Sequence, residues 1–163
     1  MCGMKHRSSE IRRTRPGDEL SLAELFASLH AAGDDRSFHP HPMDADAAAR
    51  IAAYTGRDIY AIGLVDGTAG VYGMLRGWDE GYDVPSLGIA THPRCRGLGL
   101  SRPMMEFLHL SARLAGAPRV RLKVYPDNQR AVALYTSLGY RFEGDDRGQL
   151  VGYWQPTPTE NQP

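Results

Sequence analysis

From Ser86 to Gly139 the chain alternates strand and helix patterns, and this alternation constrains the fold more than any other feature. The run "PSLGIAT" reads as a strand. Residues 99–115 then carry apolar side chains at Met104, Leu108 and Ala112, the spacing of one helix face. "RVRLKVY" is a second strand. "PDNQRAVALYTSLG" is a second helix, with Pro126 and Asp127 before it and Gly139 after it. A helix that joins two strands of one sheet carries the chain back to its starting edge, so the two strands run parallel. A parallel pair therefore belongs at the centre of the sheet.

The flanking segments read differently. Residues 11–15 suit a first strand. From Asp18 the pattern turns helical, with Leu22, Leu25, Phe26 and Leu29 on one stripe, capping-box spacing at Ser21 and Glu24, and Gly33 as a stop. "SFHPHPMD" is a proline-broken loop. Asp44 is placed to cap a helix over Ala45–Tyr54 that ends at Gly56. "DIYAIGLV" and "AGVYGMLRG" are separated by "DGT", a hairpin signal. "DEGYD" leads into "PSLGIAT", and "YRFEG" and "LVGYWQ" close the chain as two strands. The order is strand, two helices, three strands, helix, strand, helix, two strands. It predicts an α/β (α+β) domain over residues 11–155, with a mixed sheet of about six to seven strands and about four flanking helices. Residues 1–10 read as a flexible basic leader, and residues 156–163 as a polar, proline-rich, disordered tail.

Composition removes several functional classes. The 163 residues suffice for one domain with its own core. Nineteen basic residues balance nineteen acidic ones, so the basic excess of a nucleic-acid protein is missing. No apolar run is long enough for a membrane span. Cys2 and Cys95 fit neither a zinc nor a redox spacing, and a reducing cytoplasmic setting is expected. No metal site is expected either, because His39 and His41 have no third ligand at a convincing spacing.

Two motifs carry chemistry. "RCRGLGLS", Arg94 to Ser101, lies between a strand and a helix. A helix N-terminus presents free N–H groups and partial positive charge. Gly97 and Gly99 let a ligand approach that backbone, and Arg94 and Arg96 add full charge, which together suit a phosphate group. The turn is not a P-loop, since no Gly-Lys-Ser/Thr follows. It is not a clean dinucleotide fingerprint either, since Arg102 stands at the third glycine position. In the second motif, "NQRAVALYTSLGYRF", Asn128, Ala131 and Tyr135 share one helix face. Asn128 is able to bond a ligand amide, Ala131 leaves space, and Tyr135 is able to donate a proton. Either motif alone is also explained by ordinary folding, as a glycine turn or as a capped helix with a core tyrosine.

Together the two motifs resemble the GNAT superfamily of acyl-CoA N-acyltransferases. Arg94, Gly97 and Gly99 match its phosphate loop. Asn128, Ala131, Tyr135, Gly139 and Tyr140 match its later helix, with one aromatic exchange. The element order from Ile11 to Trp154 is similar as well. The resemblance implies acetyl-CoA as co-substrate, with its pyrophosphate on the segment Arg94, Cys95, Arg96, Gly97, Leu98, Gly99, Leu100 and Ser101. It implies a pantetheine arm along Leu87, Gly88, Ile89 and Ala90, with Asn128 and Ala131 beside it and Tyr135 protonating the departing thiolate. The acceptor it implies is the amine of a small molecule, an amino sugar or antibiotic among the candidates. Protein N-terminal or lysine acetylation, and a non-catalytic acyl-CoA-binding module, stand as alternatives. Ser86 and Leu87 offer no carboxylate as base at the strand start, so Glu80 and Asp83, acting through water, are the candidates. His39, His41 and Tyr82 are the candidates for the acceptor side, with imidazole suited to a proton relay. A covalent mechanism through Cys95 is disfavoured. The resemblance also allows a homodimer.

Overall fold

The computed structural model describes residues 7–157. The outer leader with Cys2, and most of the tail, lie outside the described residues. Seven strands form one sheet in the order β1-β2-β3-β4-β5-β7-β6. They are β1 (Ser9–Arg13), β2 (Ile59–Val65), β3 (Thr68–Arg76), β4 (Ser86–Thr91), β5 (Val120–Val124), β6 (Arg141–Asp146) and β7 (Gln149–Trp154). The helices are α1 (Glu19–Ala31), α2 (Ala45–Ala52), α3 (Ser101–Leu114) and α4 (Gln129–Ser137). All neighbouring strands are antiparallel except β4 and β5, which α3 joins in parallel. The predicted mixed sheet with four helices is the observed architecture.

Each face of the sheet has its own core. On one face α1 and α2 bury Leu22, Leu25, Phe26, Leu29, Ala48 and Ile51 against Ile62, Tyr72 and Met74. On the other, Met104, Leu108 and Ala112 of α3 pack on Val71, Leu75, Val120 and Leu122, joined by Tyr135 of α4. The period of two along β3 makes this possible, since Val71 and Leu75 face one way while Tyr72 and Met74 face the other. α3 approaches β3 closely at Gly73, where a Cβ would lie 2.8 Å from Met104 Sδ and 2.9 Å from Leu108 Cδ1.

Local signals differ from expectation at a few ends. β1 begins at Ser9, two residues before the expected strand and inside the stretch read as a leader. α1 is entered at Asp18, not through a box at Ser21. The Asp18 carboxylate takes two hydrogen bonds from the Arg12 guanidinium, at 2.7 and 2.8 Å, and one from the Arg15 N–H. Glu24 turns to Ser28 and His92 instead of back to the helix start. α2 is capped by Asp44, whose side chain accepts from the Ala47 N–H at 2.8 Å, and it ends at Ala52. Asp66 and Gly67, both at positive φ, make the expected hairpin turn between β2 and β3.

Candidate active site

The sheet splits where β4 and β5 should pair. Only Ser86 and Arg121 are in register, and the Arg121 N–H donates to Pro85 O at 2.9 Å. β5 then follows β7 over five registered pairs, while β4 stays with β3. His92 N–H points to β3, bonding Gly70 O, and Pro85 O points to β5. Backbone direction alternates along a strand, so the Ile89 N–H and C=O face the gap, past the last ladder partner. A cleft of about 1300 Å³ runs along this gap. Leu87, Gly88, Ile89 and Ala90 all line it.

The glycine turn closes one end. His92 is buried, and its Nδ1 accepts the Arg94 N–H at 3.0 Å, capping a single 3₁₀ turn. With Nδ1 as acceptor, the Nε2–H donates to Glu24 Oε1, at 3.1 Å. Gly97 and Gly99 follow at φ +81° and +75°. In that left-handed region any other residue pays about 1–2 kcal/mol. A Cβ at either position would meet nothing within 4 Å, so the space over the turn is open. Arg96, Gly97, Gly99 and Ser101 line the cleft. Arg94, Cys95, Leu98 and Leu100 belong to the same turn but do not line it. Arg94 and Leu98 are exposed, while Cys95 and Leu100 pack beneath, near Gly70. Arg96 pairs with Asp34, and Arg102, a second cation at the rim, donates to Ser137 Oγ at 2.8 Å.

α4 forms the opposite wall. Asn128 caps it, its Oδ1 accepting from the Ala131 N–H at 3.2 Å, which leaves the side-chain NH₂ free of partners among the described residues. Asn128, Ala131 and Tyr135 all line the cleft, as one helix face requires. Tyr135 is otherwise buried, and that burial pushes its hydroxyl up to about 12. Behind it Tyr140 bonds His109 at 2.8 Å, and His109 stacks on Trp154 at 4.0 Å, making a rigid backing.

The other end is bounded by the α1–α2 loop and the β3–β4 connection. The structure separates the two loop histidines. His39 is exposed and lines the cleft, with Phe38 and Pro40 beside it. His41 does not line it. Its Nδ1–H donates to Pro42 O at 2.7 Å, and its Nε2 accepts from the Tyr72 hydroxyl at 2.8 Å. Desolvation lowers its pKa, so it stays neutral in this niche against Phe26 and Tyr72. Glu80, Tyr82 and Asp83 line the mouth and are exposed. Their connection is fixed by buried Asp58, which accepts from the N–H groups of Gly77, Trp78 and Asp79. No carboxylate sits on β4 itself.

The sequence expectation missed the cations Arg76, Arg119, Arg121 and Lys123, which also line the cleft. A signal for three of them was present. In "RVRLKV" Arg119, Arg121 and Lys123 alternate with the apolar residues, so they share one strand face. Among the described residues, no group of three or more His, Cys, Asp or Glu is placed to hold a metal, and no helix is long and apolar enough to cross a membrane.

Comparison with known proteins agrees with this geometry. The family model described as the acetyltransferase (GNAT) family matches residues 22–140. The chain is similar in fold to the GNAT domain of PAT from S. lividans, with TM-score 0.77 and 14% identity over 91% of this chain and 90% of that one. It is also similar to yncA, a putative acetyltransferase from Salmonella typhimurium solved with its cofactor acetyl-CoA, with TM-score 0.73 and 20% identity over 93% and 96%. A third is the ribosomal-protein-S18-alanine N-acetyltransferase from Escherichia coli, with TM-score 0.69 and 18% identity over 95% and 99%.

Proposed function

The chain belongs to the GNAT acetyltransferase family, and on that premise we propose that it transfers an acetyl group from acetyl-CoA to a primary amine of a small molecule, by direct attack in a ternary complex. The observation that carries this reading is the gap between β4 and β5, with the glycine turn at one end and the Tyr135 hydroxyl in its wall. Acetyl-CoA supplies the acetyl group as a thioester.

The residues present fit that co-substrate. The open space over Gly97 and Gly99, the N-terminus of α3 and the cations Arg96 and Arg102 suit a pyrophosphate. The Ile89 backbone faces the gap, where its N–H is suited to hold the arm or the developing negative charge on the acyl oxygen. The free Asn128 amide suits the arm as well. Tyr135 keeps its proton near neutral pH, because its pKa is about 12, and so is able to give it to the departing sulfur. Glu80 and Asp83 stand on the acceptor side, where water relays the ammonium proton to one of them before attack. His39 and Tyr82 border the acceptor, and His41 shapes the loop that carries His39. The free thiol of Cys95 suits a reducing compartment such as the cytoplasm.

The test is CoA release from acetyl-CoA by the purified chain across a panel of small amines and peptides. Amine-dependent release with small amines supports the reading. Release with peptides alone would transfer it to protein acetylation. Failure to bind CoA would overturn it.

A further inference from the structure

We infer that the acceptor amine also carries an anionic group, a carboxylate or phosphonate, seated on Arg76 and Arg121, which flank Ser86 at the acceptor end of the cleft. The inference rests on the acetyltransferase reading and specifies its acceptor.

The three side chains form a row across three strands. Arg76 of β3 is registered with Ser86 of β4, and Ser86 with Arg121 of β5. All three point to the same face. Met74 shares the parity of Arg76 and packs toward α1 and α2, whereas Leu87, Val120 and Leu122, of opposite parity to Ser86 and Arg121, lie in the core under α3. Neighbouring strands are about 4.8 Å apart, so the two guanidinium groups stem from backbones roughly 10 Å apart with a serine hydroxyl between them. That spacing suits one small anion. Arg119, which lies over the Tyr153 ring at 4.0 Å, and Lys123 extend the positive floor.

This charge is only partly neutralised among the described residues. Asp146 alone meets Arg121 and Lys123, at 3.4 and 3.3 Å. Arg76 and Arg119 form no ion pair among the described residues. Arg76 is nevertheless held in place. Its Nη1 donates to Pro40 O at 2.6 Å, and its Nε is buried without a hydrogen-bond partner. A fixed, partly dehydrated and unpaired guanidinium is suited to a carboxylate or phosphonate ligand.

These cations do not serve the pyrophosphate. Ser86 is the first residue of β4, and the glycine turn follows its last residue, Thr91. At about 3.3 Å per residue the row lies roughly 16 Å from the start of that turn. Arg96 of the turn and Arg102 of α3 are the cations that line the cleft at that end. Of the carboxylates at the acceptor end, Glu80 and Asp83 line the cleft, on the exposed connection after Arg76, while Asp146 meets Arg121 outside the cleft lining. An acceptor here meets carboxylates from the connection and cations from the sheet, the complement of a molecule that carries an ammonium and an anion together.

The experiment pairs α-amino acids and aminophosphonates with their carboxamides or decarboxylated amines, adds spermidine as a polycation, and measures CoA release by the full chain. The expected result is a kcat/KM at least about ten-fold higher for the anionic member of a pair, as a charge-assisted contact provides. Arg121→Met and Arg76→Met should each erase most of that preference through KM, with calorimetric CoA affinity retained. Arg121→Met keeps the test clean if loss of the Arg76 contact to Pro40 disturbs the loop. Equal or better turnover of the neutral amines or spermidine would overturn the inference. So would CoA binding without turnover of any anionic amine. Loss of CoA binding by the wild-type chain would instead overturn the acetyltransferase reading beneath it.

Discussion

Tyr135 is the side chain proposed to protonate the departing thiolate. Its ring is core, packed against the Tyr140 ring, while its hydroxyl reaches the cleft. Burial raises its pKa, so the proton is present across the neutral range. Tyr135→Phe keeps the packing and removes the proton. The variant should bind CoA nearly as wild type and lose roughly 10- to 10³-fold in kcat, the range of positioned acid catalysis. Steady-state kinetics check this, and full activity would mean that water protonates the thiolate. The two loop histidines divide by environment. His41→Ala removes a hydrogen bond to a fully buried tyrosine and an aromatic contact, so it should cost about 1–3 kcal/mol of stability. A thermal melt reads that loss. His39→Ala should leave the melt unchanged and alter only acceptor kinetics. The sequence "FHPHP" presents both rings alike. Which one turns inward is decided by Tyr72, which is 31 positions away in the chain and invisible to any local pattern.

At the scale of elements, the turn between β4 and α3 owes its shape to partners on another layer. His92 caps it, Glu24 of α1 accepts from His92, and Asp34 just beyond α1 pairs with Arg96. The glycines and the strand–turn–helix order were legible, because backbone conformation and hydrophobic period are written locally. The contacts of Glu24 with His92 and of Asp34 with Arg96 were not, because they depend on where α1 lands. The same limit explains Glu24. Its spacing from Ser21 fits a capping box, yet a buried imidazole offered it a better partner. Gly99→Glu tests the cradle. Glutamate at φ +75° is strained, and it places negative charge where phosphate is expected. A Cβ there meets nothing, so the fold should survive with a loss of about 1–2 kcal/mol, while calorimetric CoA binding falls below detection. Unchanged affinity in the folded variant would remove the turn from the cofactor site.

Across the whole molecule, the α1 layer is tied to the sheet and the turn by carboxylates. Asp18 holds Arg12 of β1, Glu24 holds His92, and Asp34 holds Arg96. The N-terminal half of the sheet and its helix layer thus meet the glycine-turn end of the cleft through polar contacts as well as through core packing. Hydrogen bonding from Arg12 lowers the Asp18 pKa below its ordinary value, outweighing the opposing effect of burial, and the His92 contact lowers that of Glu24. A lowered carboxylate stabilises the fold above its unfolded pKa, and that contribution is lost as pH falls through the folded value. Stability should therefore hold down to about pH 4 and decline below it. Asp18→Asn isolates the larger contact. Removing one partner of a buried pair costs about 3–5 kcal/mol, and the second contact of Arg12, to Glu10 at 3.3 Å, brings the expectation to the low end. At about 2–4 °C per kcal/mol for a chain of this size, the variant should melt roughly 6–12 °C lower at pH 7. The gap should narrow toward pH 3, below the ordinary aspartate value, where the unfolded wild-type chain takes up a proton that the folded carboxylate resists. Melts of both proteins at the two pH values decide the matter. A gap that stays constant with pH would show that Asp18 acts by shape alone, and that its charge does not hold α1 to the sheet.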